Sequence, residues 1–186
     1  MLNRQFNQLF LSIAFSTIAM TPIANAKDLS ASLRSTRLTV SVADSMTKTN
    51  VKGVDGTETA VALDPDLPGS PFVQVLLAKT PDVPNEVFHS VKVSRDKPHC
   101  LNGFSVKTIA PDDLGLESND SVVRVVCENK SNEPGRALAE YYVVRRISKE
   151  LVGLISASTT SGDLQTAIRL STDLTKSLNV RIQTSD

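Results

Sequence analysis

Leu138-Ala139-Glu140-Tyr141-Tyr142-Val143-Val144-Arg145-Arg146-Ile147, then Ser148-Lys149-Glu150, then Leu151-Val152-Gly153-Leu154-Ile155-Ser156-Ala157-Ser158, decide the fold. Two long runs rich in β-branched, aromatic and aliphatic residues flank three polar ones, the pattern of an antiparallel hairpin. Beyond it, Leu164, Ala167, Ile168, Ser171, Leu174 and Leu178 recur at spacings of three and four and make one apolar-to-small helical stripe. Ser161 is expected to cap the start of that helix. Asp163 suits the positive end of its dipole, and Lys176 with Asn179 mark its finish. The stripe needs an apolar partner, and the inward face of a sheet supplies one, so the chain reads as α+β.

Working outward, residues 104–109 and 122–127 bracket a polar loop holding Pro111, Asp112, Asp113, Gly115, Asn119 and Asp120. They read as another antiparallel hairpin. Phe72, Val73, Val75, Leu76, Leu77 and Ala78 form a nearly unbroken apolar run, a central strand covered on both faces. Pro84 starts a helix with Val87, Phe88 and Val91 at helical spacing, yet Val87, His89, Val91 and Val93 also alternate. The preferred reading of 81–96 is a short helix running into a strand. Asp64, Pro65, Pro68 and Gly69 break the chain before the central strand. Residues 59–63 and the alternation of Leu38, Val40 and Val42 supply two more strands. Residues 44–58 are a polar loop or a wide hairpin connection, and 128–136 is another polar loop. The expectation is about seven mostly antiparallel strands with a C-terminal helix across one face.

This architecture loosely resembles the PsbP-like fold over residues 38–178. The residues that suggest it are Tyr141-Tyr142-Val143-Val144, Leu151 to Ile155 and the helix at 163–178. The resemblance is one of architecture, with no residue motif behind it. It implies a protein that binds partners and has no shared catalytic centre.

At the N-terminus, Arg4 precedes an apolar run containing Leu9, Phe10, Leu11, Ile13, Phe15 and Ile18, and Pro22 and Ala24-Asn25-Ala26 follow. A positive start, a short apolar core and small residues two apart predict a cleavable secretory signal over 1–26. Cleavage after Ala26 leaves residues 27–186 as one α+β domain in the periplasm or secreted. The apolar segment is short for a membrane anchor.

Cys100 and Cys127 are the two cysteines. In an oxidising compartment an isolated pair forms a structural disulfide. Two free thiols, or a metal site using His99 beside Cys100, are the alternatives. A centred hairpin turn puts Cys100 a few residues beyond the position opposite Cys127, within bridging reach if the chain turns at Pro98.

Lys and Arg number 20 and balance 20 Asp and Glu, which argues against a general nucleic-acid or anionic-membrane surface. With no Trp and only two Tyr and six Phe, stacking platforms for bases or sugars are scarce. The two histidines, His89 and His99, accompany no Gly-x-Ser-x-Gly elbow and no His-Glu-x-x-His helix. The acidic pairs Asp64/Asp66, Asp112/Asp113 and Glu117/Asp120 lack calcium-loop spacing. Gly53-Val54-Asp55-Gly56 lacks the Gly-Lys-Ser/Thr ending of a phosphate loop and reads as a turn. No catalytic residue, cofactor or metal ligand is therefore assigned.

The expected function is non-enzymatic: binding another envelope protein as an accessory factor, a chaperone-like subunit or an immunity protein. The expected contacts are Lys48, Lys52, Asp55, Lys130, Arg136, Arg145 and Arg146, together with the sheet face left free by the helix. One alternative is a small ligand or lipid held near Phe72, Phe88 or Phe104. Another is a hydrolase gathering His89 with an acid and a serine.

Overall fold

The computed structural model describes residues 28–33, 35–52 and 58–184. The signal at 1–26, the turn containing Asp55 and the side chain of Lys52 lie outside the described residues. The fold is α+β, as expected. Its main sheet has seven strands, all pairings antiparallel, in the order β3-β4-β5-β11-β10-β8-β7. These are β3 (Thr47–Lys52), β4 (Glu58–Leu63), β5 (Phe72–Lys79), β7 (Ser105–Ile109), β8 (Ser121–Cys127), β10 (Ala137–Ser148) and β11 (Leu151–Ser161). The 138–158 hairpin forms β10 and β11 and sits inside this sheet. The hairpin of β7 and β8 pairs Ser105 with Val126 and Ile109 with Val122.

Two small sheets complete the fold; they contain the strand expected from Leu38 and Val40, together with strands that the sequence reading did not separate. β1 (Asp28–Leu33), β2 (Thr36–Ser41) and β12 (Val180–Thr184) form one, with β2 in the middle. β6 (Cys100–Asn102) and β9 (Asn129–Lys130) form the other. Of the two readings of 44–58, loop or wide hairpin connection, the hairpin is nearer: 47–52 forms β3, paired antiparallel with β4. Its polar residues suit an outermost strand, where little is buried.

Both faces of the main sheet are covered. On one face, Ala60, Ala62, Val73, Val75, Leu77, Val143 and Ile155 pack against Leu29, Ala31, Leu38 and Val40 of the small sheet. Beside them, Val126, Ala137 and Ala139 meet Ala167 of the C-terminal helix α2 (Leu164–Ser177). Small residues let this helix approach closely. Ser171 Oγ donates to the Ala157 carbonyl at 3.2 Å, and Thr159 Oγ1 donates to the Ala167 carbonyl at 2.9 Å. The cap is Asp163 rather than Ser161: Ser161 still belongs to β11, and Asp163 Oδ1 accepts the Thr166 N–H at 2.8 Å.

On the opposite face, Ala78, Val123, Val125, Tyr142, Val144, Val152 and Leu154 pack under Phe88. Phe88 sits on helix α1 (Asn85–Asp96), which corrects the reading of a helix passing into a strand. Phe88, His89 and Lys92 all lie on its buried side, a spacing that belongs to a helix and not to an alternating strand. A single 3₁₀ turn, Lys97–His99, then leads into β6.

Candidate binding surface

Two charged clusters are built into the interior. Arg145 lies on the inward side of β10 and is 2% exposed. Its Nε and Nη2 donate to Asp120 Oδ1 and Oδ2 at 2.7 and 2.6 Å, while Nη1 is ion-paired with Glu117 Oε1 at 3.0 Å and donates to the Val180 carbonyl at 3.4 Å. Burial opposes its charge, and Asp120 with Glu117 outweighs burial, holding the guanidinium above its usual range. The expected surface role of Arg145 is thereby corrected: it fastens the loop before β8 to the sheet. Arg146 points the other way. Its Nη2 bonds the Val83 carbonyl and, at 3.2 Å, Asn85 Oδ1, and its guanidinium lies over the Phe88 ring. It therefore secures the start of α1.

The second cluster holds the middle and end of α1. Lys92 Nζ bonds Glu140 Oε2 at 2.7 Å and Asp96 Oδ2 at 2.5 Å, and Ser156 Oγ donates to Glu140 Oε1. Lys92 also lies 5.9 Å from the centre of the Tyr142 ring. Burial pushes the Tyr142 phenol well above its usual range. Beside this cluster is a cleft of about 30 Å³ lined by Gln74, Leu76, Val91, Arg95, Leu154 and neighbouring polar groups. That volume suits one or two waters. A pocket that buries a small organic ligand holds roughly 300–1,000 Å³.

His89 is on the same helix but outside this cluster. Its Nε2 lies 3.3 Å from the Ser121 carbonyl, and its ring meets Tyr142 edge-on. Burial lowers its pKa below the ordinary 6.5, against smaller opposing effects of the Ser121 carbonyl and Glu86. The contacts of His89 are thus a carbonyl, a ring and the charge of Glu86, not an acid–serine pair. His99 is exposed, and its carbonyl accepts from Ser131.

Cys100 and Cys127 are bonded, with S–S 1.97 Å and Cα–Cα 5.6 Å, which rules out the free-thiol and metal-ligand alternatives for them. Among the described residues no group of three or more His, Cys, Asp or Glu is placed to hold a metal. The bridge ties β6 to the end of β8. Gly103 turns the chain from β6 into β7 at φ +68°, and a Cβ there would run into the Glu128 side chain.

Of the other expected contacts, Lys130 and Arg136 share Glu133, at 2.9 and 3.9 Å, within the 128–136 loop. The Lys130 bond holds that carboxyl below its usual range. Lys48 is half-buried on β3. The structure brings Lys130 near the disulfide corner through the β6–β9 pairing, and leaves Lys48 at the opposite edge of the main sheet.

The surface that sequence reasoning missed is β7. It is the last strand of the main sheet, and its first four residues are exposed. Among the described residues, no strand pairs with its outer side. Two of the exposed large apolar side chains, Leu101 at 61% and Val106 at 41%, flank Gly103 at this corner. On the opposite side of the sheet, Lys107 lies directly across from Arg124. The signal was in the sequence, because the β7–β8 register brings these two cations together.

Comparison with known protein families, curated proteins and solved structures returns no match to this chain.

Proposed function

We propose that this is an exported, disulfide-bonded protein of the periplasm or cell exterior that acts by binding another protein along the outer edge of β7. The observation that carries the reading is the edge itself. It is a solvent-exposed strand whose outer row of backbone N–H and C=O groups meets no strand among the described residues, and it carries Val106 close to Leu101. Strand addition to such an edge supplies affinity through main-chain hydrogen bonds and specificity through alternate side chains. The disulfide supports placement in an oxidising compartment. The N-terminal 26 residues support export. The architecture-level resemblance to PsbP-like proteins agrees with a binding role.

The test is affinity capture of the oxidised protein from its own cells, followed by reconstitution with the captured protein. We expect a stoichiometric complex that is lost when Leu101→Asp and Val106→Asp are combined. A complex indifferent to those changes, or no complex from cells that express the protein, sinks this reading. N-terminal sequencing of the exported chain is expected to begin at Lys27.

A further inference from the structure

Resting on that binding reading, we propose that the β7 edge takes an extended acidic segment of the partner, added as an eighth strand with a carboxylate opposite Lys107. Lys107 and Arg124 are a directly opposed cross-strand pair on one face of the sheet. Like charges in that position destabilise a sheet. Two inward cations of this chain are answered with acids, Asp120 and Glu117 for Arg145 and Glu140 and Asp96 for Lys92, while Arg146 is held by the Val83 carbonyl and Asn85. Lys107 is exposed and Arg124 half-buried, and among the described residues neither side chain has an ion-pair or hydrogen-bond partner. A lone edge lysine deters unwanted pairing. A second unanswered cation directly behind it also makes the edge attractive to an acid.

Geometry sets the pattern of the added strand. A residue opposite Lys107 stands about 5 Å away, and Arg124 is one strand spacing further, within the length of its own side chain. Val106 and Thr108 face the other side of the sheet, so the positions flanking the acid meet an apolar residue and a threonine. The pattern is alternating: acid on one face, aliphatic or Thr on the other.

Two other occupants fit less well. A second copy pairing β7 with β7 brings Lys107 near Lys107, and Ser105-Val106-Lys107-Thr108-Ile109 has no acid to answer it. The chain's own residues 1–27 carry Arg4 and Lys27 and no Asp or Glu.

The probe is a synthetic nine-residue peptide alternating Glu with Val or Thr, both ends blocked, titrated into the oxidised full chain at low salt. Its counterparts are a Lys-for-Glu peptide and an acidic peptide N-methylated on alternate amides. Amide chemical shifts report the location and fluorescence anisotropy the affinity. We expect shifts confined to β7 and β8, and a preference for the acidic peptide of about tenfold or more that shrinks with salt. N-methylation should abolish binding. Combining Lys107→Glu with Arg124→Glu should invert the preference, and an unchanged melting temperature shows that this variant folds. Equal affinity for acidic and basic peptides, shifts elsewhere, or no binding at about millimolar peptide overturns the proposal. A captured partner that needs Leu101 and Val106 but ignores the charge reversal overturns the acidic strand and leaves the binding function standing. Acidic-peptide binding without any captured partner does the reverse.

Discussion

Arg145 and Asp120 form a two-pronged ion pair in the interior although 25 residues separate them in sequence. Asp120→Ala removes one partner and leaves the guanidinium with the more exposed Glu117 as its one paired acid and the Val180 carbonyl at 3.4 Å. We expect a loss of about 3–5 kcal/mol in urea unfolding. Replacing both residues together, Arg145→Met with Asp120→Leu, should recover most of it, because no buried charge is then left alone. A single-variant loss below about 1 kcal/mol would show that water reaches the pair.

Lys92 is the corresponding fastener of α1. Lys92→Met leaves the buried Glu140 without a cation and Asp96 with only the exposed Arg95, 3.5 Å away. The expected cost is again about 3–5 kcal/mol. Hydrogen exchange distinguishes this from general weakening: α1 amides should lose protection before those of β10 and β11. Uniform loss across the sheet would contradict the assignment.

The Cys100–Cys127 bond spans 27 residues. On the chain-entropy account it stabilises the fold by about 3 kcal/mol. Cys100→Ser should lower the melting temperature by roughly 6–12 °C in non-reducing buffer, and reductant should bring the native protein down to the same value. No difference between the two proteins would mean that the unfolded chain gains little freedom from losing the cross-link.

His89 adds a pH dependence with a definite sign. Its folded pKa lies below the ordinary 6.5 because burial disfavours the imidazolium. Between those two values the unfolded chain binds the extra proton and the folded chain does not. The contribution is therefore fully present above about pH 6.5, falls as pH drops towards the folded value, and levels off below it. His89→Gln should lose less stability than the native protein between about pH 7.5 and pH 5. Parallel pH profiles would place the titration elsewhere.

Strong periodicity made the centre of this fold readable. The hairpin of β10 and β11 and the helix after it follow from long runs in which apolar spacing and turn residues agree. The β7–β8 register also followed, and with it the reach between Cys100 and Cys127. The misses have physical causes. β3 is a polar edge strand, so burial writes no alternation into it. Helix α1 buries His89 and Lys92 beside Phe88, and those polar residues blur its apolar face. Arg145 looked like surface because it is charged. Yet it continues the inward series of Tyr141 and Val143, and only the carboxylate waiting at Asp120 makes that place habitable. The exposed edge at β7 was implicit in the hairpin register, but a register does not say which strand ends the sheet.

The small three-stranded sheet sets a clock. β2 pairs with β1 almost at once, but its other side pairs with β12, and Val40 meets Val180. A chain delivered from its N-terminus at about 5–20 residues per second leaves that side open for roughly 7–30 s. During that time Leu38 and Val40 can draw on only one neighbouring strand. The three-stranded sheet is therefore complete only when almost all of the sequence has emerged.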